Sequence, residues 1–143
     1  MFTHILLVKE IVILTFLDTA VTHKWIGLYL RGVACLLAYG ALMHVGNILG
    51  WSGTPWLQTP LHWRIMDGVL LAFNAIAAVG LWRRQPWAVI LLVLGIVTLQ
   101  LIPYTIFRAY FIETPDQAQT LNGLIGTELL LLLGLGGLLV AKK

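Results

Sequence analysis

Read as apolar and polar positions, the chain divides into one weakly patterned stretch and four long apolar runs separated by short polar breaks. In residues 4–22, Lys9, Glu10 and Asp18 interrupt apolar sequence. On a helical projection His4, Thr15, Asp18, Thr19 and Thr22 share one arc, and Leu6, Ile13, Leu14, Leu17 and Val21 share the other. That pattern predicts an amphipathic helix lying in a membrane interface, with a fifth span as the alternative. The apolar runs predict spans over about residues 25–49, 60–82, 87–111 and 115–141. A 25-residue helix is about 37 Å long, enough to cross a hydrocarbon core of about 30 Å with tilt.

The breaks carry their own signals. The stretch WSGTPWLQTP, residues 51–60, holds Gly, Ser and two Thr-Pro steps and reads as a loop, with Thr59 as N-cap and Pro60 opening the next helix. Arg83-Arg84-Gln85-Pro86 is so short a connection that the helices it joins must be antiparallel neighbours. Thr114-Pro115-Asp116-Gln117 matches a capping box with proline at the first helical position. Pro103 removes a backbone hydrogen bond within the third run and is expected to kink it. Gln100, Tyr104 and Arg108 recur every four residues there, so they are expected to share one helical face and look inward. Gly68 with Ala72, the Ala75 to Gly80 run and the glycines of the last run are small surfaces on which membrane helices pack closely.

Composition changes this picture only by confirming its solvent. Of 143 residues, 59% are hydrophobic and 10% charged, which sets the chain apart from soluble domains and makes it a single all-α membrane domain. The expected architecture is an integral membrane four-helix bundle with an N-terminal interfacial helix. The net charge of +3 is spread over helix ends, which gives no support to nucleic-acid binding. Cys35 is the only cysteine, so an intrachain disulfide, a CxxC pair and a cysteine-rich metal site are excluded, and a packed, inert thiol is expected.

All six tryptophans fall at proposed helix ends or in loops, as an aromatic belt requires. Lys24, Arg31, Arg83, Arg84, Lys142 and Lys143 fall on one side, whereas Glu113, Asp116 and the uncharged loop fall on the other. The positive-inside rule then places both chain ends in the cytoplasm, with the cell (inner) membrane as the location. In that topology His44, Asn47, His62, Arg64, Asp67, Tyr104, Arg108 and Asn122 crowd the outer half of the spans. Asn74, Gln100 and Glu128 continue the set toward the midplane.

These residues are the candidate ligand-binding set: Glu128, Asp67, Gln100, Tyr104, Arg108, His44, Asn47 and Asn74. Each also has a plain structural role. Asp67 and Arg108 are expected to meet as a buried ion pair that fixes the second helix against the third, although counting from the turn leaves them six residues, about 9 Å, out of register. An ionised carboxylate at the depth of Glu128 is costly unless an arginine reaches it, so a neutral Glu128 hydrogen-bonded to Gln100 or Tyr104 is expected, forming the floor of an outward-opening pocket. His44 and His62 offer metal or axial haem positions, against the commoner role of interfacial histidines as hydrogen-bonding groups. No GxSxG, P-loop or HExxH occurs, and no catalytic residue, resident metal or cofactor is assigned.

Four short helices, a first span reading LRGVACLLAYGALMHVGNILG, an aromatic-flanked loop and the GLWRRQPWAV turn resemble the small four-helix membrane proteins of the DoxX-like kind over about residues 25–141. That resemblance implies a quinone or redox partnership. TLQLIPY is similar to the Thr, Leu-Ile-Pro pattern in the third helix of sterol-isomerase-like and sigma-2-like membrane proteins, which implies a sterol-like ligand beside intramembrane acids. Three functions therefore fit. One is a membrane protein that binds an amphipathic small molecule or partner through its outer polar pocket. Another is a subunit or enzyme of quinone, haem or sterol-like lipid chemistry. The third is a small proton-coupled transporter with Glu128 as relay, which at this length calls for a homo-oligomer or larger membrane complex.

Overall fold

The computed structural model describes residues 2–51 and 53–141, with only the backbone described for residues 2–10 and 14. The described chain is helical: α1 (Phe2–Thr22), α2 (Lys24–Ile48), a 3₁₀ turn (Trp56–Gln58), α3 (Leu61–Trp82), α4 (Pro86–Ile106), a second 3₁₀ turn (Arg108–Tyr110) and α5 (Pro115–Ala141). Four of these helices, α2 to α5, are long and apolar enough to cross a membrane.

The helices α2, α3 and α5 begin and end within a residue or two of the expected runs. The third run differs. Its regular helix stops at Ile106 and not near 111, because Phe107 leaves helical geometry (φ −100°, ψ 22°) and Arg108–Tyr110 tightens into a 3₁₀ turn. Within α4, Ile96–Leu101 is a π-helical turn, with the Ile102 N–H donating to the Val97 carbonyl. Pro103 follows at once, and the physical link is direct. A proline ring clashes with the carbonyl four residues back and offers no N–H, and widening the preceding turn relieves both.

Helix ends are built from local chemistry. Gly50 (φ 75°) closes α2 in a Schellman motif: its N–H donates to the Asn47 carbonyl and that of Trp51 to the Gly46 carbonyl. The same motif closes α3, with Arg84 N–H to Leu81 O and Gln85 N–H to Gly80 O, but the left-handed position is held by Arg84 (φ 55°). A side chain there costs roughly 1 kcal/mol relative to glycine. At α3 the expected Thr59 cap is displaced by one residue, since Pro60 is the N-cap and its carbonyl accepts from Trp63 and Arg64. The capping box of α5 forms as expected: Thr114 Oγ1 accepts from the Gln117 N–H, and Gln117 Oε1 accepts from the Thr114 and Glu113 N–H groups.

α2 packs against α3, α3 against α4, and α5 reaches both α2 and the π-turn of α4. Close approach occurs where glycine allows it. The Phe73 ring lies where a Gly95 side chain would be, and Tyr29 packs on Gly134 while its hydroxyl donates to the Leu131 carbonyl at 2.5 Å. The small-residue expectation therefore holds for Ala77, Ala78 and Gly80, which are buried, but not for Gly68, Ala72 and Ala75, which face outward. Gly123, Gly126, Gly136 and Gly137 likewise meet nothing.

α1 packs on α2 and α4 through Leu17, Ala20 and Val21. Its buried arc is narrower than the expected apolar arc, for Ile13 faces outward beside Ile11, Val12 and Phe16. The side chains of His4, Leu6, Lys9, Glu10 and Leu14, and the residues Lys142 and Lys143, lie outside those described. Cys35 corrects another expectation, because it is exposed on α2 and not packed in the interior.

Candidate functional site

Two buried carboxyl groups organise the polar interior, and they are treated very differently. Asp67, one and a half turns into α3, is 8% exposed. His44 Nδ1 lies 2.9 Å from its Oδ1, and Asn47 Nδ2 donates to the same oxygen at 3.1 Å. Trp56 Nε1 donates to Oδ2 at 3.1 Å. His44 and Asn47 sit three residues apart on the last turns of α2, so both reach across to α3 from one face. Trp56 comes from the 3₁₀ turn of the connecting loop, and the Arg64 guanidinium lies 6.0 Å over its ring. One carboxylate thereby ties α2, the loop and α3 together.

This arrangement overturns the expected Asp67–Arg108 pair. Arg108 Nη2 donates instead to Asn122 Oδ1 at 2.8 Å and to the Ala118 carbonyl at 3.4 Å, both on α5. The end of α4 at Ile106 carries Arg108 off the Gln100–Tyr104 face. The register offset seen in the sequence is filled by the loop, not bridged by the arginine.

Gln100 (6% exposed) and Tyr104 (2% exposed) do share the inward side of α4. Glu128, midway along α5, is also 6% exposed and lies beside the Gln100 side chain. The Tyr104 phenol is within electrostatic reach of both Asp67 and Glu128. What Glu128 lacks is a partner for its Oε2, which is buried with no hydrogen bond. Asn74 is in a similar state: its amide nitrogen packs on Gly40 of α2, while its Oδ1 is buried and unpartnered.

Around Tyr104 the loop end of the protein is aromatic. Phe111 makes edge-to-face contacts with Tyr104 (5.2 Å), Trp63 (5.2 Å) and His62 (5.4 Å). The two histidines considered as a ligand pair thus take different partners, His44 a carboxylate and His62 an aromatic edge. Among the described residues no group of three or more His, Cys, Asp and Glu is placed to hold a metal ion.

Residues 24–133 match the model of a family of unknown function (DUF6163). The chain belongs to that family. No curated protein and no solved structure matches it. The segment shared with DUF6163 begins at the first residue of α2 and takes in His44, Asn47, Trp56, Asp67, Asn74, Gln100, Tyr104, Arg108 and Glu128, while α1 lies outside it.

Sequence reasoning missed two participants in this DUF6163 site. Trp56 was read only as a belt residue, and Asn122 only as one of several polar groups near a helix end. A signal for Trp56 was present, since a tryptophan in a loop whose indole N–H is to be buried needs an acceptor, and Asp67 is the nearest acid in sequence.

Proposed function

We propose that this DUF6163 protein is an integral membrane four-helix bundle that binds a small amphipathic molecule in the polar interior of its loop-end half. Glu128 and Gln100 form the floor of the site and Tyr104 its wall. The observation that carries this reading is the unpartnered Oε2 of Glu128, a carboxyl oxygen buried beside the π-turn of α4. A buried polar atom without a partner costs about 1–3 kcal/mol, a cost that a bound hydrogen-bonding headgroup would offset. π-turns recur at functional sites because they re-aim side chains and loosen the backbone ladder. Gln100 lies within this one.

The orientation that fits has both chain ends cytoplasmic and the 49–60 loop outside, in the cell (inner) membrane. Support comes from Lys24, Arg31, Arg83 and Arg84 at one end against Glu113 and Asp116 at the other. Cysteines introduced at the exposed positions Gln58 and Gln85 in a Cys35→Ala background should differ, with Gln58→Cys labelled by an impermeant thiol reagent on intact cells and Gln85→Cys protected. Reversal of the pattern would invert the topology.

The binding reading is tested by solvent extraction and mass spectrometry of purified protein. Wild type and Glu128→Gln should carry the same class of co-purified small molecule, with Glu128→Gln holding less of it. Glu128→Leu should fold and carry none. Identical extracts from wild type and Glu128→Leu would end the proposal.

A further inference from the structure

At the end of the protein opposite Asp67, the start of α2, the end of α3 and the start of α4 meet, and the cations there have no acidic partner. Lys24, Arg31, Arg83 and Arg84 form no ion pair among the described residues, where the one such contact is His44 with Asp67. The Lys24 ammonium lies 5.8 Å over the Trp25 ring and the Arg31 guanidinium 5.5 Å over Trp82. Arg84 behaves differently from the rest. It occupies the left-handed position of the α3 cap, and its guanidinium turns in against the first turn of α2, where a Cβ on Gly27 would lie 2.5 Å from Cζ. Its Nε is buried there without a hydrogen-bond partner. Of the described acids, Asp67, Glu113 and Asp116 belong to the opposite half, Glu128 lies midway along α5, and Asp18, exposed near the end of α1, makes no ion pair among the described residues.

We propose that this basic end holds the phosphate of an anionic lipid headgroup, with Arg84 as the inward ligand and Lys24, Arg31 and Arg83 as the surrounding cations. An arginine offers a fork of donors matched to phosphate oxygens, and the buried Nε is a donor still to be used. The flank selects a lipid over a free phosphate. Trp25 (61% exposed), Leu28 (61%) and Trp82 (53%) form an outward apolar surface beside the cations, suited to the acyl chains and glycerol region of the same molecule. The inference rests on the membrane placement proposed above and is independent of the Glu128 site.

The test uses the full chain in a non-ionic detergent, after extraction has been shown to require detergent, so that failure of the membrane reading is seen separately. Native mass spectrometry compares retention of phosphatidylglycerol with that of phosphatidylcholine of the same acyl chains, with and without millimolar inorganic phosphate. The expected result is one phosphatidylglycerol retained under conditions that strip phosphatidylcholine, with no displacement by inorganic phosphate. Arg84→Gln should weaken that binding about tenfold. Arg31→Gln, an exposed position whose loss leaves the helix packing intact, should weaken it about fivefold. Equal retention of the two lipids, unchanged binding in both variants, or displacement by inorganic phosphate would each overturn the proposal.

Discussion

Asp67 and Glu128 are similarly buried carboxyl residues, yet both oxygens of Asp67 are hydrogen-bonded and one oxygen of Glu128 is not. Three donors from two elements converge on Asp67. Glu128 lies beside Gln100, and its Oε2 has no hydrogen-bond partner among the described residues. Burial alone therefore does not tell whether a carboxyl group is partnered within the chain; the hydrogen bonds made by each oxygen do. A carboxylate whose hydrogen bonds are all made within the chain is committed to the fold, whereas a carboxyl oxygen left over is free to meet something from outside.

The sharpest way to break that comparison is to remove each acid. Asp67→Leu leaves the half-buried His44, Asn47 and Trp56 without their acceptor and should destabilise the protein by about 2–3 kcal/mol. Glu128→Leu deletes an unsatisfied group and should leave stability unchanged or raise it by about 1 kcal/mol. Unfolding in detergent, followed by tryptophan fluorescence, measures both, and equal destabilisation by the two variants would erase the distinction.

Trp56→Phe separates the loop's hydrogen bond from its packing, since the ring over Arg64 remains. We expect a loss of about 1–2 kcal/mol, together with faster proteolysis in the 49–60 loop. A double-mutant cycle between His44 and Asp67 should give a coupling above about 1 kcal/mol; coupling near zero would mean that Asn47 and Trp56 hold the carboxylate by themselves. The smallest effect belongs to Asn122→Ala, about 0.5 kcal/mol, because its bond to Arg108 is exposed to solvent or headgroups.

Much of the helical layout was legible before any coordinates. The ends of α2, α3 and α5 follow from where apolar runs stop and from the Gly, Ser and Thr-Pro steps of residues 51–60, Pro60 and the Thr114–Gln117 capping box, all of which act through their own backbone neighbours. The Gln100–Tyr104 face was legible for the same reason, as a four-residue spacing on one helix. Arg108 was not, because its place on that face required the helix to continue past Ile106, and the break at Phe107 follows no residue of strong punctuating chemistry. The direction faced by Cys35, Gly68 and Ala72 was illegible too. A chain apolar on every side offers no polar face to show which residues turn inward.

The sequence by itself determined that there are four long apolar helices, in which order they come, and that the polar side chains gather toward one end. Those properties depend on spacing, turn chemistry and hydropathy, which are local. Only the tertiary structure decided which donors reach which acid. Asp67 was paired by a loop whose indole can lie against α3 from eleven positions away, and Glu128 was left incomplete because α5 faces the π-turn with Gln100 as its polar neighbour. Hydrogen bonds depend on approach to within about 3 Å, a distance set by how helices pack and not by how far apart residues stand along the chain.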